Sequence, residues 1–326
     1  MSTSVKVSTR GAAQASRLPD AEALGEHRVV VVVPAYNEER FIGSVVLKLL
    51  RYPLTVIVVD DGSSDDTAAL AEAAGAQVVR HTQNKGKGEA LNTGFCAARL
   101  LEPEAIVVID GDGQHLPEQL PELLGPVLAG EADIVVGSRY LEKTCQVPAH
   151  RLLGHWFFNQ MTGLASGVRV SDSQSGYRAF SPRAYNVELF RCADFAVEAE
   201  MQFLAREHGL RVAEVPVVIR YQDKPKRPVW QHGLTVLNGV LRLTGQYRPL
   251  LFFGLPGALL VTVGLARGMW VLKRFQSTQQ LATGNAIVCV LLFVTGMVLF
   301  STGIILHSVR GLLIDMLHRN GQSSGD

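Results

Sequence analysis

The sequence predicts an α/β fold: a doubly wound, mostly parallel sheet with helices on both faces, followed by an interface helix and two transmembrane helices. Three observations carry this reading. Apolar β-branched runs end in polar clusters and alternate with helical stretches, a basic amphipathic segment follows at 224–247, and two long apolar stretches lie near the C-terminus. The chain has 326 residues, of which 47% are apolar and 19% charged, with 31 glycines and 14 prolines spread throughout. That composition excludes coiled coils, collagen-like chains and disordered proteins. A formal charge of +1 provides no field to attract nucleic acid. The mean hydropathy of +0.17 is high for a soluble enzyme, and the excess sits near the end.

Residues 1–27 are polar and contain no apolar core of the signal-peptide kind, so they read as a flexible tail with the following domain on the cytosolic side. VVVVVPAYNEE (29–39) opens with the continuous β-branched run of a strand buried on both faces, expected to stop at Pro34, with a helical pattern through about Leu50. LTVIVVDDGSSDDT (54–67) repeats the scheme, with Ser63 or Ser64 as the expected helix cap. Further strands are expected at 77–80, 105–109 and 133–136, with helical stretches between most of them. Strands alternating with helices make a parallel sheet, and such sheets bind ligands beyond the carboxyl ends of their strands. Tyr36-Asn37-Glu38, Asp60-Asp61 and the run Asp110 to His115 all fall at such ends and outline one pocket.

Beyond the α/β region, Leu234, Leu237, Val240 and Leu241 recur at helical spacing among basic residues, as in a helix lying in a membrane interface. Ala286 to Leu306 then runs 21 residues without a charge, and Leu250 to Leu272 is interrupted only by Arg267. Such a length crosses a hydrocarbon core of roughly 30 Å, and an arginine near one end can snorkel to the boundary. Basic residues before the first span and after the second outnumber Lys273 and Arg274 between them, which favours a cytosolic catalytic domain and a cytosolic tail. Four widely separated cysteines show no paired spacing of the zinc or redox kind. The expected organisation is a tail (1–27), a catalytic domain (28–222), a basic loop with the interface helix (223–249), two spans (250–310) and a second tail (311–326).

The chemistry concentrates in the acidic clusters. Asp110 and Asp112 follow a buried strand at i and i+2, so both carboxylates can address one divalent ion, with the Gln114 amide in the same register. Oxygen ligands suit Mg²⁺ or Mn²⁺, and a sparse protein set leaves positions for substrate phosphates. One of Asp60 and Asp61 is expected to face a base or ribose. NKGKGEALNTG (84–94) can bring Lys85 or Lys87 to phosphates at a helix start. Dinucleotide binding and kinase-type ATP binding are disfavoured, since neither a P-loop nor G-x-G-x-x-G occurs. Glu198 and Glu200 open a helix either as a base or as surface residues, and His115 reads as a support of the cluster rather than a ligand.

VVPAYNEE, VVDDGSSDDT, NKGKGEALNTGF, VVIDGDGQH, VVGSRY and VSDSQSGYRAF occur in this order over 29–180. The series resembles family-two glycosyltransferases of the GT-A fold, particularly polyprenyl-phosphate sugar transferases related to dolichol-phosphate mannose synthase. The resemblance implies that Pro34, Tyr36 and Glu38 cradle the nucleoside and that Asp60 or Asp61 touches it. It implies that Asp110, Asp112 and Gln114 hold the metal against the diphosphate, with Gly111 where the usual motif has alanine. It further implies that Arg139 contacts phosphate and that Asp172, Ser175, Gly176 and Arg178 line the sugar and acceptor phosphate. The competing reading of that last segment is a structural turn with a buried ion pair. Lys224, Lys226 and Arg227 occupy the place of the acceptor loop. The Q-x-x-R-W signature of processive polysaccharide synthases is absent.

The implied activity is inverting transfer of a hexose from GDP-mannose or a UDP-sugar to a polyprenyl or dolichyl phosphate at the cytosolic face of a lipid bilayer. Asp112 and Arg139 would act on the departing diphosphate, and a homo-oligomer stays open. The alternatives are transfer to a lipid-linked glycan or another membrane lipid, and a silent membrane protein that binds nucleotide sugars.

Overall fold

The computed structural model describes residues 8–9, 23–141, 149–187, 190, 197–220, 238–239 and 241–322. They fall into two compact units, Met1–Val240 and Leu241–Asp326. The first unit is built on eight strands: β1 (Ser8–Thr9), β2 (Val29–Ala35), β3 (Thr55–Asp60), β4 (Gln77–Arg80), β5 (Ala105–Val108), β6 (Ile134–Ser138), β7 (Arg178–Phe180) and β8 (Val212–Pro216). Their spatial order is β1-β8-β6-β7-β5-β2-β3-β4. Every neighbouring pair is parallel except those of β7, which runs antiparallel to both β5 and β6.

Among the described residues of this unit the α-helices are α1 (Ile42–Leu49), α2 (Thr67–Ala73), α3 (Lys87–Arg99), α4 (Leu120–Leu128), α5 (Ala149–Ser166), α6 (Pro182–Tyr185) and α7 (Val197–Glu207). The valines of β2 divide between two cores, as strand alternation requires. Val29, Val31 and Val33 join apolar residues of α1, α2 and α4, whereas Val30 and Val32 join those of α3, α6 and α7. The sheet is therefore covered on both faces.

Three features differ from the sequence reading. Within residues 1–27, expected as a tail, Ser8–Thr9 pair with β8 and Leu24 is buried. Strand β2 does not stop at Pro34 but runs through it to Ala35, in register with Val59 and Asp60 of β3. Val32 accepts the Ile109 N–H on the β5 side, while Ala35 accepts the Asp61 N–H on the β3 side. Alternation turns Pro34 toward β5, where the ladder has already ended at Val32–Val108, so its missing donor breaks no bond. Finally, β7 and β8 were not anticipated.

In the second unit, residues 241–247 are helical, a π-helical turn spans Leu250–Gly254, and α8 (Leu255–Thr278) and α9 (Thr283–Gln322) follow. The stretches Leu250–Thr278 and Thr283–Leu312 are long and apolar enough to cross a membrane, and only 17% of each most apolar window is buried. That is the reverse of a soluble core helix, and it leaves Leu259, Ile287, Val290 and Leu291 exposed. Arg267 donates to Asn285 Oδ1 at 2.8 Å, which ends its side chain beside the start of α9. Helix α9 continues through most of 311–326, the segment expected as a tail.

The α3 core turns on Phe95, buried edge-to-face against Phe180 (centroids 5.2 Å apart) and Phe190 (5.6 Å). Phe95→Ala should lower the unfolding free energy by about 3–5 kcal/mol. Denaturant titration followed by circular dichroism measures this, and a change below about 1 kcal/mol would contradict the packing.

Candidate active site at the carboxyl edge of the sheet

The first two strand ends are tied together by their own polar groups. Asn37, in the left-handed region at φ 54°, donates its N–H to Ser63 Oγ (2.9 Å) and accepts the Ser64 N–H at Oδ1 (2.9 Å). Glu38 N–H donates to Thr67 Oγ1 at 2.8 Å. The Ser63 hydroxyl thus serves the β2 loop instead of capping α2. At that helix start Asp65 accepts from the Thr67 N–H (3.1 Å) and hydroxyl. Tyr36 stands outward, 44% exposed.

Asp60 and Asp61 are both buried. Asp60 accepts the Ser63 N–H (3.0 Å), and its other oxygen lies 3.0 Å from Arg80 Nε. The Asp61 carboxylate accepts the N–H groups of Lys85 (2.9 Å) and Gly86 (2.8 Å) and lies 2.7 Å from His81 Nδ1. The N–H groups of the two residues just ahead of α3 are therefore taken by the protein's own carboxylate. Of the two lysines there, Lys85 is exposed and Lys87 turns into the site.

Lys87 Nζ sits 2.6 Å from Asp110 Oδ1 and 2.7 Å from Glu198 Oε1. Burial alone would lower its pKa, but the two carboxylates outweigh burial and hold the ammonium above the ordinary lysine range. Likewise, burial opposes charge on Asp110, and Lys87 outweighs it, so that carboxyl is held below the usual range. Asp112 has no such cation. Burial, then the charge of Asp110, with a smaller push from Glu38, raises its carboxyl to about 6. Gly111 between them packs on Ala35 and the Pro34 carbonyl, and Gln114 donates its N–H to Asp112 Oδ1 at 3.0 Å. His115 is buried against Tyr177, and burial lowers it to about 4, so it is neutral at pH 7.

The third wall comes from β6 and the segment leading into β7. Arg139 forks onto Asp172, Nε to Oδ2 at 2.5 Å and Nη2 to Oδ1 at 2.6 Å. This is the buried ion pair of the competing reading, formed with Arg139. Behind it Glu214 accepts the Ser171 N–H and hydroxyl, each at 2.7 Å, and Asn159 accepts those of Ser173 at 2.9 and 2.6 Å. Ser175 is buried. Arg178 is also buried and faces inward, donating to the carbonyls of Ser173 (3.0 Å), Ser175 (2.8 Å) and Glu198 (3.0 Å). Gly176 passes so close that a Cβ there would lie 2.5 Å from Asp110 Oδ2 and 2.9 Å from Lys87 Nζ.

The sheet thus brings Glu38, Lys87, Asp110, Asp112 and Gly176 to one place and sets the Arg139–Asp172 pair at the neighbouring strand end. Lys224, Lys226 and Arg227 lie outside the described residues. Glu198 and Glu200 are buried, which removes the surface reading of both. Glu214 and Asn159 escaped sequence reasoning because nothing near them in the chain marks them as partners of the 171–173 segment.

Asp110 and Asp112 are hard oxygen donors, one of them raised by burial and then by the charge of the other, and so fit Mg²⁺ or Mn²⁺. Among the described residues no three His, Cys, Asp or Glu side chains converge as a ready-made cage. An ion here would rest on the two carboxylates and on oxygens brought by a ligand.

The chain is similar to proteins named for sugar transfer. The chain is 31% identical to the UDP-N-acetylglucosamine–dolichyl-phosphate N-acetylglucosaminyltransferase of Methanococcus voltae, over 61% of this chain and 88% of that protein. It is 32% identical to the undecaprenyl-phosphate mannosyltransferase of Micrococcus luteus, over 58% of this chain and 82% of that one. The crystal structure of glucosyl-3-phosphoglycerate synthase from Mycobacterium tuberculosis, in complex with Mn²⁺, UDP and glucosyl-3-phosphoglycerate, superposes with a TM-score of 0.56 at 27% identity, covering 74% of this chain and 88% of that one. Residues 30–193 match the model of glycosyl transferase family 2, and the chain belongs to that family of enzymes.

Proposed function

We propose that this glycosyltransferase moves a hexose from a nucleotide diphosphate sugar to a polyprenyl or dolichyl phosphate, with inversion, at the cytosolic face of a membrane. The observation that carries the reading is the Asp110–Asp112 pair at the point where strand order turns from β5 to β2 and β3, the usual ligand crevice of such sheets. A divalent ion bound there would stabilise charge developing on the departing diphosphate. Pro34, Tyr36 and Glu38 would flank the nucleoside. Asp61 would shape its floor rather than reach it, since both of its oxygens accept internal bonds, whereas Asp60 Oδ2, beside Arg80, accepts no hydrogen bond and would face the nucleoside. Lys87 would supply positive charge beside the diphosphate, Arg139 would stand next to it with its charge balanced by Asp172, and the backbone of Ser175 and Gly176 would bound the sugar side.

A phosphate acceptor is already an anion and needs no strong base, so positioning does most of the work. Two relatives are named for lipid-phosphate acceptors, whereas the solved structure holds a phosphoglycerate product. The two long apolar helices favour the lipid. They would hold the enzyme in the phase where a polyprenyl phosphate resides, and Lys224, Lys226 and Arg227 would meet its headgroup.

The deciding experiment incubates the purified enzyme with Mn²⁺ or Mg²⁺, labelled GDP-mannose and UDP-sugars, and either polyprenyl phosphate or 3-phosphoglycerate. Label should enter the organic phase with one donor class and the lipid acceptor. Label transferred only to phosphoglycerate would overturn the lipid assignment. Asp112→Ala should lower turnover roughly a thousandfold, ~4 kcal/mol of transition-state stabilisation, with an unchanged thermal midpoint. Gly176→Ala should displace Asp110 and Lys87 and cut kcat/KM at least about tenfold, while stability falls by no more than about 1–2 kcal/mol. Full activity in Gly176→Ala would show that this close approach is irrelevant to the reaction.

A further inference from the structure

Lys87 lies between two carboxylates on different elements, Asp110 just after β5 and Glu198 in the first turn of α7. All three side chains are largely enclosed. The second Glu198 oxygen, Oε2, is buried and has no hydrogen-bond partner. A carboxylate with an idle buried oxygen beside an ammonium is an incomplete acceptor, since buried polar atoms are normally paired. The backbone of Gly176 closes one side of the ammonium. Lys87 can therefore leave Asp110 toward Glu198, or outward toward a ligand.

We infer that Lys87 is the resident counter-cation of the metal-free site and that Glu198 is the positioning residue that receives it when a divalent ion takes Asp110. This rests on the reading of Asp110 as a metal ligand. In the metal-free state the ammonium balances Asp110, which keeps two neighbouring carboxylates from standing with no cation near them. An arriving ion takes over that role and must displace the ammonium. Glu198 lowers the free-energy cost of the exchange by offering the ammonium both of its oxygens. Held there, Lys87 stays beside the ion as a second positive group for a diphosphate. The exchange moves no proton: the Lys87 ammonium only changes partner. The glutamate thus acts through the lysine and touches neither ion nor substrate.

The test is a double-mutant cycle read by Mn²⁺ binding alone, in the full-length detergent-solubilised protein without nucleotide, from the electron paramagnetic resonance signal of free Mn²⁺. Lys87→Met should bind Mn²⁺ about tenfold more tightly than the natural protein, because the competing cation is gone. Glu198→Gln should bind it about tenfold more weakly, because the ammonium keeps only Asp110 as partner. In the double variant, Glu198→Gln should change affinity by less than about threefold relative to Lys87→Met. Thermal melts check each fold, and Lys87→Gln replaces Lys87→Met if the latter melts without cooperativity. An equal loss from Glu198→Gln with and without Lys87 would overturn the proposal, leaving Glu198 a general structural or electrostatic residue. Tighter binding in Glu198→Gln, or weaker binding in both lysine variants, would overturn it as well. Absence of Mn²⁺ binding in the natural protein and every variant, while sugar transfer proceeds, would instead remove the metal reading on which the inference stands.

Discussion

One antiparallel strand determines where the chemistry can be. Strand β7 lies between β5 and β6 and opposes both, so its first residue, Arg178, pairs with Val108 and Val136 near the carboxyl ends of its neighbours. The residues leading into β7 must then cross the edge where Asp110 and Arg139 emerge. Had β7 run parallel, that segment would have entered from the opposite edge and left both strand ends bare. Direction alone brings Asp172 onto Arg139 and Gly176 onto Asp110. The buried Arg178 fastens this arrangement by binding the carbonyls of Ser173 and Ser175 from beneath.

The site is also a problem in charge balance. Asp110, Asp112 and Glu198 lie close together in a region where burial raises the free energy of every unpaired charge. Lys87 answers two of the three, and the remainder appears as the raised Asp112 carboxyl. Next door Asp172 is fully paired by Arg139. With both members of the Arg139–Asp172 pair charged, one strand end is neutral, whereas three carboxylates against one ammonium leave the next net negative, which would favour a cation at the second only. The whole-chain charge of +1 conceals this sorting entirely.

How much of this the sequence discloses follows from the physics of each element. Strands β2, β3 and β5 are legible because both faces are buried, which forces unbroken apolar runs followed by an abrupt polar cluster. The three-residue β7 contains a buried arginine, and β8 contains Glu214, so neither shows such a run. Asp110 and Asp112 are readable because their spacing and position suffice. The choice of Lys87 over Lys85 is not, because it depends on Asp61 drawing in the backbone of residues 85 and 86 and so fixing the start of α3. Nor is the partnership of Arg139 with Asp172, residues brought together by strand direction rather than by chain proximity.

The acidic strand end constrains how a diphosphate could be held there. In many nucleotide-binding sheets the free N–H groups opening a helix take the phosphate, and the backbone itself provides the positive end. Here Asp61 accepts from Lys85 and Gly86, so the loop just ahead of α3 turns two of its donors inward. A diphosphate approaching this edge would find carboxylates at Asp110 and Asp112 and one ammonium at Lys87, an unfavourable balance for an anion. Two negative partners can share the edge only if a multivalent cation lies between them. A divalent ion between them would offset both repulsions, and the acidic pair would gain from it a function that its mutual repulsion otherwise opposes.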